Sequence, residues 1–190
     1  MTSGTSRERL DAAFEASPRP WFLPADVRER WSEDRPLQLA HGMTNSQPST
    51  VLEMLRLLDV PIGARVLDVG SGSGWTTALL AHLVGSTGSV LGLEIEPELV
   101  AFGRRNLGVC ERDWAAIEDA TPGVLGRPEA APYDRILVSA MATELPGSLV
   151  AQLAPAGIMV VPVAGRMVRV TAADEPIIER FGRFRFVPLR

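Results

Sequence analysis

Three alternating glycines follow a short apolar run in this 190-residue chain. They are Gly70, Gly72 and Gly74, in the stretch RVLDVGSGSGW that begins at Arg65. Glycine is favoured where the backbone needs a positive φ, or where another molecule must approach more closely than a Cβ permits. One tight turn would need one glycine, so this spacing indicates a loop that lies against a ligand.

The glycine spacing distinguishes between kinds of nucleotide ligand. The dinucleotide fingerprint is G-x-G-x-x-G, and Trp75 stands where its third glycine would be. A phosphate-binding loop ends in Gly-Lys-Ser or Gly-Lys-Thr, and this stretch has no lysine. An adenosyl group without phosphates fits better, with Glu94 of the next apolar run as the acceptor for its ribose. The pattern favours S-adenosylmethionine over two structural alternatives, a glycine turn without a ligand and a Glu94 that is simply a surface residue.

Short apolar runs alternate with helical stretches from residue 64 onward, which is typical of βα units around a parallel sheet. The predicted strands cover residues 64–70, 88–95, 112–118, 134–140 and 157–164, and the predicted helices cover 74–84, 97–107 and 146–154. The remaining C-terminal stretch predicts two strands around the turn AADEP. The sequence therefore predicts an α/β fold whose sheet is closed by an antiparallel hairpin.

The first 48 residues differ in composition from the rest of the chain. Residues 6–16 can form a helix, and the stretch after it is rich in proline and tryptophan. We expect residues 1–48 to be a covering segment of the same domain, in which Trp21, Phe22 and Trp31 exclude water, and residues 49–190 to carry the ligand-binding fold. Residues 49–58 predict an amphipathic helix that begins with a capping box formed by Thr50 and Glu53.

Composition excludes several classes of protein. The net charge of −4 argues against a nucleic-acid-binding surface, and no run approaches the roughly 18 apolar residues of a membrane span. The single cysteine, Cys110, cannot form an internal disulfide, and the N-terminus lacks the apolar region of a secretory signal. Two histidines and one cysteine in unrelated positions give no metal-ligand spacing. We expect a cytoplasmic monomer without a metal.

Several longer motifs occur along the chain, from about residue 9 to residue 189: PRPWFLP, EDRPLQLAHGMTNSQP, VLDVGSGSGW, APYDRILVSAMATELP, QLAPAG, VVPV and FRFVPL. Together they resemble the motifs of the protein-L-isoaspartate O-methyltransferases. The glycine motif alone indicates only a class I methyltransferase, whereas the Thr44-x-Ser46-x-Pro48 unit is far more specific. The resemblance implies a Rossmann-like, mostly parallel sheet of seven strands with helices on both faces. It also implies methyl transfer from S-adenosylmethionine to the carboxylate of isoaspartate in damaged proteins or peptides.

The resemblance also assigns roles to single residues. It makes Ser46 the active-site hydroxyl and places Thr44 beside the methionine end of the cofactor. It also implies that Glu94 binds the ribose of the cofactor. The cofactor-binding residues that it implies are Thr44, Gly70, Ser71, Gly72, Glu94, Asp119 and Ala120. In this set Asp119 would reach the adenine amino group and Ala120 would offer a backbone N–H, although the family usually has Gly-Asp-Gly where this chain has Glu-Asp-Ala. Asn45 also departs from the family, which commonly has isoleucine there.

The reaction itself asks for few catalytic groups. A carboxylate with a reference pKa of about 4 is already ionised at pH 7, so its methylation needs no general base. The site must instead align the reacting atoms and exclude water. Ser46 would then orient the carboxylate by a hydrogen bond. On the residues alone, TNSQPST is more simply a helix N-terminus. The alternation of Arg183 and Arg185 with Phe184 and Phe186 is most simply a strand with one solvated face, and the alternative is a role in holding an acidic peptide.

Three other functions fit the same sequence. A related enzyme could methylate a normal aspartate in a ribosomally made peptide, so that a succinimide or isoaspartate forms as an intended modification of that peptide. A non-catalytic module could bind the cofactor and act through protein contacts, and a methyltransferase could act on a small molecule. The intact Ser46 and glycine motif count against the non-catalytic module, whereas Asn45 leaves the peptide-tailoring enzyme open.

Overall fold

A computed structural model of the chain describes residues 6–190. Within these residues the helices are α1 (Ser6–Ala16), α2 (Pro48–Leu58), α3 (Trp75–Val84), α4 (Pro97–Gly108) and α5 (Gly147–Val150). The strands are β1 (Leu37–Gln38), β2 (Thr44–Asn45), β3 (Arg65–Val69), β4 (Ser89–Glu94), β5 (Ala115–Asp119), β6 (Tyr133–Val138), β7 (Leu153–Val163), β8 (Arg166–Thr171) and β9 (Ile177–Arg183).

Seven of the strands form one sheet in the order β5-β4-β3-β6-β7-β8-β9. The pairs from β5 to β7 are parallel, and β8 runs antiparallel to both of its neighbours. The β8–β9 hairpin turns at the predicted AADEP stretch. The predicted α/β fold, with a mostly parallel seven-stranded sheet and a C-terminal antiparallel hairpin, is confirmed.

The central strands β3, β6 and β7 are largely buried on both faces, as their nearly continuous apolar residues require, whereas β9 at the edge is mostly exposed. Val66 of β3 and Val160 of β7 lie in a core shared with helices α1 to α4. Their neighbours Leu67 and Val161 point the other way, into a second core with Leu149 of α5. Loops cover much of that second face, since α5 is a single turn.

Two local predictions were wrong. The helix predicted over 146–154 is limited to Gly147–Val150, because β7 already begins at Leu153. The expected capping box at the start of α2 is also absent, since the N-cap residue is Gln47, whose side chain makes no capping hydrogen bond, and the Ser49 N–H of the first turn donates to Asp34 Oδ1 at 2.9 Å instead. The Glu53 carboxylate instead accepts two hydrogen bonds of 2.8 Å from Arg56.

The stretch between α1 and α2 is a chain of short turns with the small β1–β2 sheet. Phe22 is fully buried in the core beside α2 and α3. Trp21 and Trp31 are 46% and 50% exposed, so the prediction that they exclude water was wrong. Among the described residues no helix has both the length and the apolar character needed to cross a membrane.

Candidate active site

The loop between β3 and α3 contains the three alternating glycines, all with positive φ. A Cβ on Gly74 would lie 2.9 Å from Ile117 Cδ1 and 3.0 Å from the Gly103 carbonyl oxygen. Gly74 is therefore required by the packing of α3 against α4 and β5. A Cβ on Gly70 or Gly72 would meet no atom closer than 3.7 Å. These two glycines leave space for a ligand beside the loop, although the Gly70 N–H already donates to the Leu93 carbonyl and the Gly72 N–H to Glu94.

Glu94 ends β4 beside the glycine loop and is only 5% exposed. Its Oε2 accepts a hydrogen bond of 2.8 Å from the Gly72 N–H. Its Oε1 accepts hydrogen bonds from the N–H groups of Ile95 and Glu96, at 2.8 and 3.0 Å. Each oxygen keeps further acceptor capacity. The carboxylate is thus fixed at the predicted position for binding a ribose.

Gly70, Gly72 and Glu94 share one cavity, which we call the glycine-loop cavity. Its remaining wall is largely apolar and includes Val69, Leu93, Ile95, Val124 and Leu125. Apolar walls around a few fixed polar groups are typical of small-molecule sites. The carboxylate suits the hydroxyls of a ribose, and the apolar wall suits a flat base.

A second and wider cavity, the outer cleft, lies beside the first and encloses about 950 Å³. Ser46 lines this cleft together with residues of α2 and of the segment that follows β9. Thr44, Ser139 and Val187 line both cavities. The two cavities therefore meet at these three residues, which we call the neck.

A small third cavity joins Ser46 to the glycine loop. It is lined by Thr44, Ser46, Gly70, Ser71 and Ser139, among others. The buried hydroxyl oxygens of Ser71 and Ser139 have no hydrogen-bond partner in the structure, nor has Asp68 Oδ1 beneath the loop. Because buried polar atoms are normally paired, these orphans are consistent with a polar ligand at the glycine loop. The loop, Glu94 and the orphaned hydroxyls together fit an adenosyl ligand with a polar tail.

Comparison with known proteins identifies the family. The sequence model of the protein-L-isoaspartate(D-aspartate) O-methyltransferases (PCMT) matches residues 2–190. The chain belongs to this family. The resemblance seen in its motifs is thereby confirmed.

Curated relatives and a solved structure agree with the family assignment. A protein-L-isoaspartate O-methyltransferase of Methanothrix thermoacetophila is 42% identical over 186 residues, which cover 96% of this chain and 88% of the relative. One from Anaeromyxobacter dehalogenans is 43% identical over 199 residues, covering 96% and 89%. A Plasmodium falciparum enzyme of this type, crystallised with S-adenosyl-L-homocysteine, superposes with a TM-score of 0.86 at 27% identity. That match covers 96% of this chain and 90% of the other.

Two site residues implied by the PCMT resemblance lie differently from expectation. The Asp119 carboxylate is exposed and forms an ion pair of 3.2 Å with Arg104, so Asp119 is not part of the cavity wall. Ala120 does line the glycine-loop cavity, but its N–H donates to the Glu94 carbonyl at 2.8 Å, continuing the strand pairing. Ala120 therefore offers a ligand an apolar contact rather than the expected free N–H.

Asn45, the departure from the PCMT pattern, is buried in a polar network. Its Oδ1 accepts a hydrogen bond of 2.7 Å from Arg19, and its Nδ2 donates to Ser73 Oγ at 3.0 Å. Arg19 also donates to the carbonyls of Trp31, Glu33, Arg35, Asn45 and Ser46. Burial lowers the pKa of Arg19 to about 10, which leaves it charged at neutral pH. The network ties the covering segment and the Ser46 loop to the glycine loop.

Ser139 is the site residue that sequence reasoning missed. It follows β6 and lines all three cavities. The available signal was its place at the carboxyl end of a central parallel strand, where ligands of such sheets bind. Among residues 6–190 the His, Cys, Asp and Glu side chains form no group of three that could hold a metal ion.

Proposed function

We propose that the chain is an S-adenosylmethionine-dependent O-methyltransferase that acts on L-isoaspartyl groups of proteins or peptides. The supporting observation is that the glycine-loop cavity and the outer cleft meet at the neck. Glu94 lines the glycine-loop cavity, and Ser46 lines the outer cleft. A cofactor in one cavity and an acceptor in the other would come into contact there. Membership of the PCMT family supports the same reading.

The cofactor would occupy the glycine-loop cavity and the small cavity beneath the loop. S-adenosylmethionine, when bound, supplies an electrophilic methyl group. The backbone at Gly70, Ser71 and Gly72 and the hydroxyl of Thr44 would hold its methionine end, and Glu94 would hold its ribose. Ala120 would contact the base through its side chain. Asp119 would take part only if its side chain leaves Arg104.

The protein's own task is to position the acceptor. The isoaspartyl carboxylate is ionised at neutral pH, so no residue has to remove a proton. The Ser46 hydroxyl can donate one hydrogen bond and so fix one carboxylate oxygen at the neck. Residues 1–48 would act as a cover. The residues of this segment that line the two cavities are Pro36, Met43, Thr44, Ser46 and Gln47. A dry neck favours the transition state, in which the carboxylate and sulfonium charges neutralise each other.

Turnover on a matched pair of peptides tests this function. The wild type should methylate an isoaspartyl peptide and strongly prefer it to its aspartyl twin, because the extra backbone carbon moves the carboxylate. The variant Ser46→Ala should lose about 10²-fold in turnover, as for removal of one preorganised donor. Its affinity for S-adenosylhomocysteine should stay within a few-fold. Ser148→Ala, on the exposed side of α5, is the matched control.

Each contrary result has a defined meaning. Methylation of the aspartyl peptide alone would show that the enzyme modifies a dedicated peptide and does not repair damaged proteins. Cofactor binding without methylation of either peptide would indicate a non-catalytic module or a small-molecule substrate. Full turnover in Ser46→Ala would show that Ser46 serves only the start of α2.

We infer, on sequence grounds, that this enzyme is a cytoplasmic monomer that binds neither nucleic acid nor membranes. The net charge of −4 supports the absence of a nucleic-acid surface, and the lone Cys110 supports a reducing compartment. Sedimentation of the purified protein would test the oligomeric state.

A further inference from the structure

Two arginines project into the outer cleft from the end of β9. The strand ends at Arg183, and the chain continues along the cleft so that residues 183–187 all contribute to its wall. Phe184 and Phe186 are partly buried against the core that contains α2. Arg183 and Arg185 are exposed, and neither guanidinium group has an ion pair or hydrogen bond with another of residues 6–190. Both arginines thus line the cleft beside Phe184 and Phe186, and the phenylalanines anchor the segment that carries them.

The outer cleft has an excess of positive charge. Its other charged wall residue is Glu53, whose carboxylate is already neutralised by the two hydrogen bonds from Arg56. The wall near Ser46 thus presents two unpaired guanidinium groups in a chain whose net charge is −4. Guanidinium groups form paired hydrogen bonds with carboxylates, which makes arginine well suited to binding acidic side chains.

We propose that Arg183 and Arg185 make the enzyme selective for isoaspartyl sites with acidic neighbours. The inference rests on the proposed function and adds the class of peptide that the site prefers. When the isoaspartyl carboxylate of a peptide lies at the neck, the flanking residues of that peptide must lie along the outer cleft. Acidic flanking side chains meet Arg183 and Arg185 there, whereas lysine side chains are repelled.

The size of the preference follows from the exposure of the two arginines. Exposed ion pairs are individually weak and are screened by salt. We expect kcat/KM for an acidic peptide to exceed that for a basic peptide by about tenfold at low ionic strength. The ratio should fall towards one as salt is added.

Three isoaspartyl peptides that differ only in their flanking residues, glutamate, glutamine or lysine, test the selectivity. For the wild type the order of kcat/KM should be glutamate, then glutamine, then lysine. In the double variant Arg183→Gln/Arg185→Gln the ratio of glutamate to lysine should fall close to one. Arg180→Gln is the matched control, because Arg180 is exposed on the same strand and lines neither cavity. It should keep the wild-type ratio.

Two results would overturn the proposal. One is equal kcat/KM for the three peptides in the wild type, and the other is an undiminished ratio in the double variant. Failure to methylate the glutamine peptide would instead contradict the proposed function. In that case, binding of the three peptides to the protein with S-adenosylhomocysteine still measures the charge preference. Equal affinities there would overturn the proposal as well.

Discussion

The Glu94 carboxylate is oriented by three backbone N–H groups, so it offers a negative charge at a fixed place in the glycine-loop cavity. We expect Glu94→Ala to weaken binding of S-adenosylhomocysteine by roughly 1–3 kcal/mol, the range for lost hydrogen bonds to a charged group. Isothermal calorimetry measures this directly. Glu175→Ala, in the exposed β8–β9 turn, should bind like the wild type. Wild-type affinity in Glu94→Ala would remove Glu94 from the cofactor site.

Sequence alone could place Glu94 and the glycines but could not separate the roles of the glycines. Gly74 is needed because Gly103 of α4 approaches it, and that contact joins residues far apart in the chain. Ser139 was missed for the same reason. A serine after a strand carries no pattern of its own, and its role depends on Thr44 and Val187 reaching the same point. Motif spacing reports local geometry, whereas these roles depend on tertiary contacts.

Between β3 and α3 a buried carboxylate connects strand to helix. Asp68 Oδ2 accepts hydrogen bonds of 2.7 Å from the hydroxyls of Thr76 and Thr77 in the first turn of α3. Burial raises the pKa of Asp68 to about 6 from its usual 3.8, more than these hydrogen bonds lower it. The strand–helix junction is therefore most stable when Asp68 is protonated.

This junction predicts a pH dependence of stability. Because the folded-state pKa is raised, the contribution of Asp68 is fully present below about pH 4 and is lost as the pH rises through about 6. A shift of about two pKa units corresponds to about 3 kcal/mol. The free energy of unfolding of Asp68→Asn, relative to that of the wild type, should rise by this amount between pH 4 and 7. Urea denaturation without cofactor measures it.

The control for this series is Asp174→Asn in the exposed β8–β9 turn, which should follow the wild type across the range. If the free energies of unfolding of Asp68→Asn and the wild type change in parallel with pH, Asp68 does not titrate between pH 4 and 7.

Most strands and helices were predictable because their apolar runs or amphipathic patterns are local. The strands β3, β4 and β6 lie within two residues of their predicted limits. The failures occurred where a neighbour competes for the same residues. The apolar stretch after Pro146 suits a helix, but Leu153 pairs with Tyr133 and so starts β7 instead. Likewise Glu53 pairs with Arg56 rather than closing a capping box.

At the scale of the whole molecule, Arg19 holds the cover together and also contacts the α/β fold. It is 4% exposed, donates to five backbone carbonyls, and lies over the Trp75 ring at 5.5 Å. A segment with so little regular structure must satisfy its buried carbonyls in another way. The sequence predicted that residues 1–48 form a cover, but it did not predict that Arg19 and Asn45 hold this cover together.

Removing this arginine should loosen the cover. We expect Arg19→Met to lower the free energy of unfolding by at least about 3 kcal/mol, because several buried carbonyls and Asn45 would lose their donor. Chemical denaturation followed by circular dichroism measures the loss. Arg30→Met provides the comparison, since Arg30 forms only an exposed pair with Glu33 and should change stability little. Equal stability of Arg19→Met and Arg30→Met would contradict this account.

The narrow neck between two cavities has a kinetic consequence. The glycine-loop cavity and the outer cleft each open to solvent and share only Thr44, Ser139 and Val187 in their walls. A methylated peptide can therefore leave the outer cleft while the demethylated nucleoside is still held, and the nucleoside can exchange while a peptide remains. Neither product has to wait for the other. We therefore expect turnover to proceed through a ternary complex in which the relative off-rates set the order of product release.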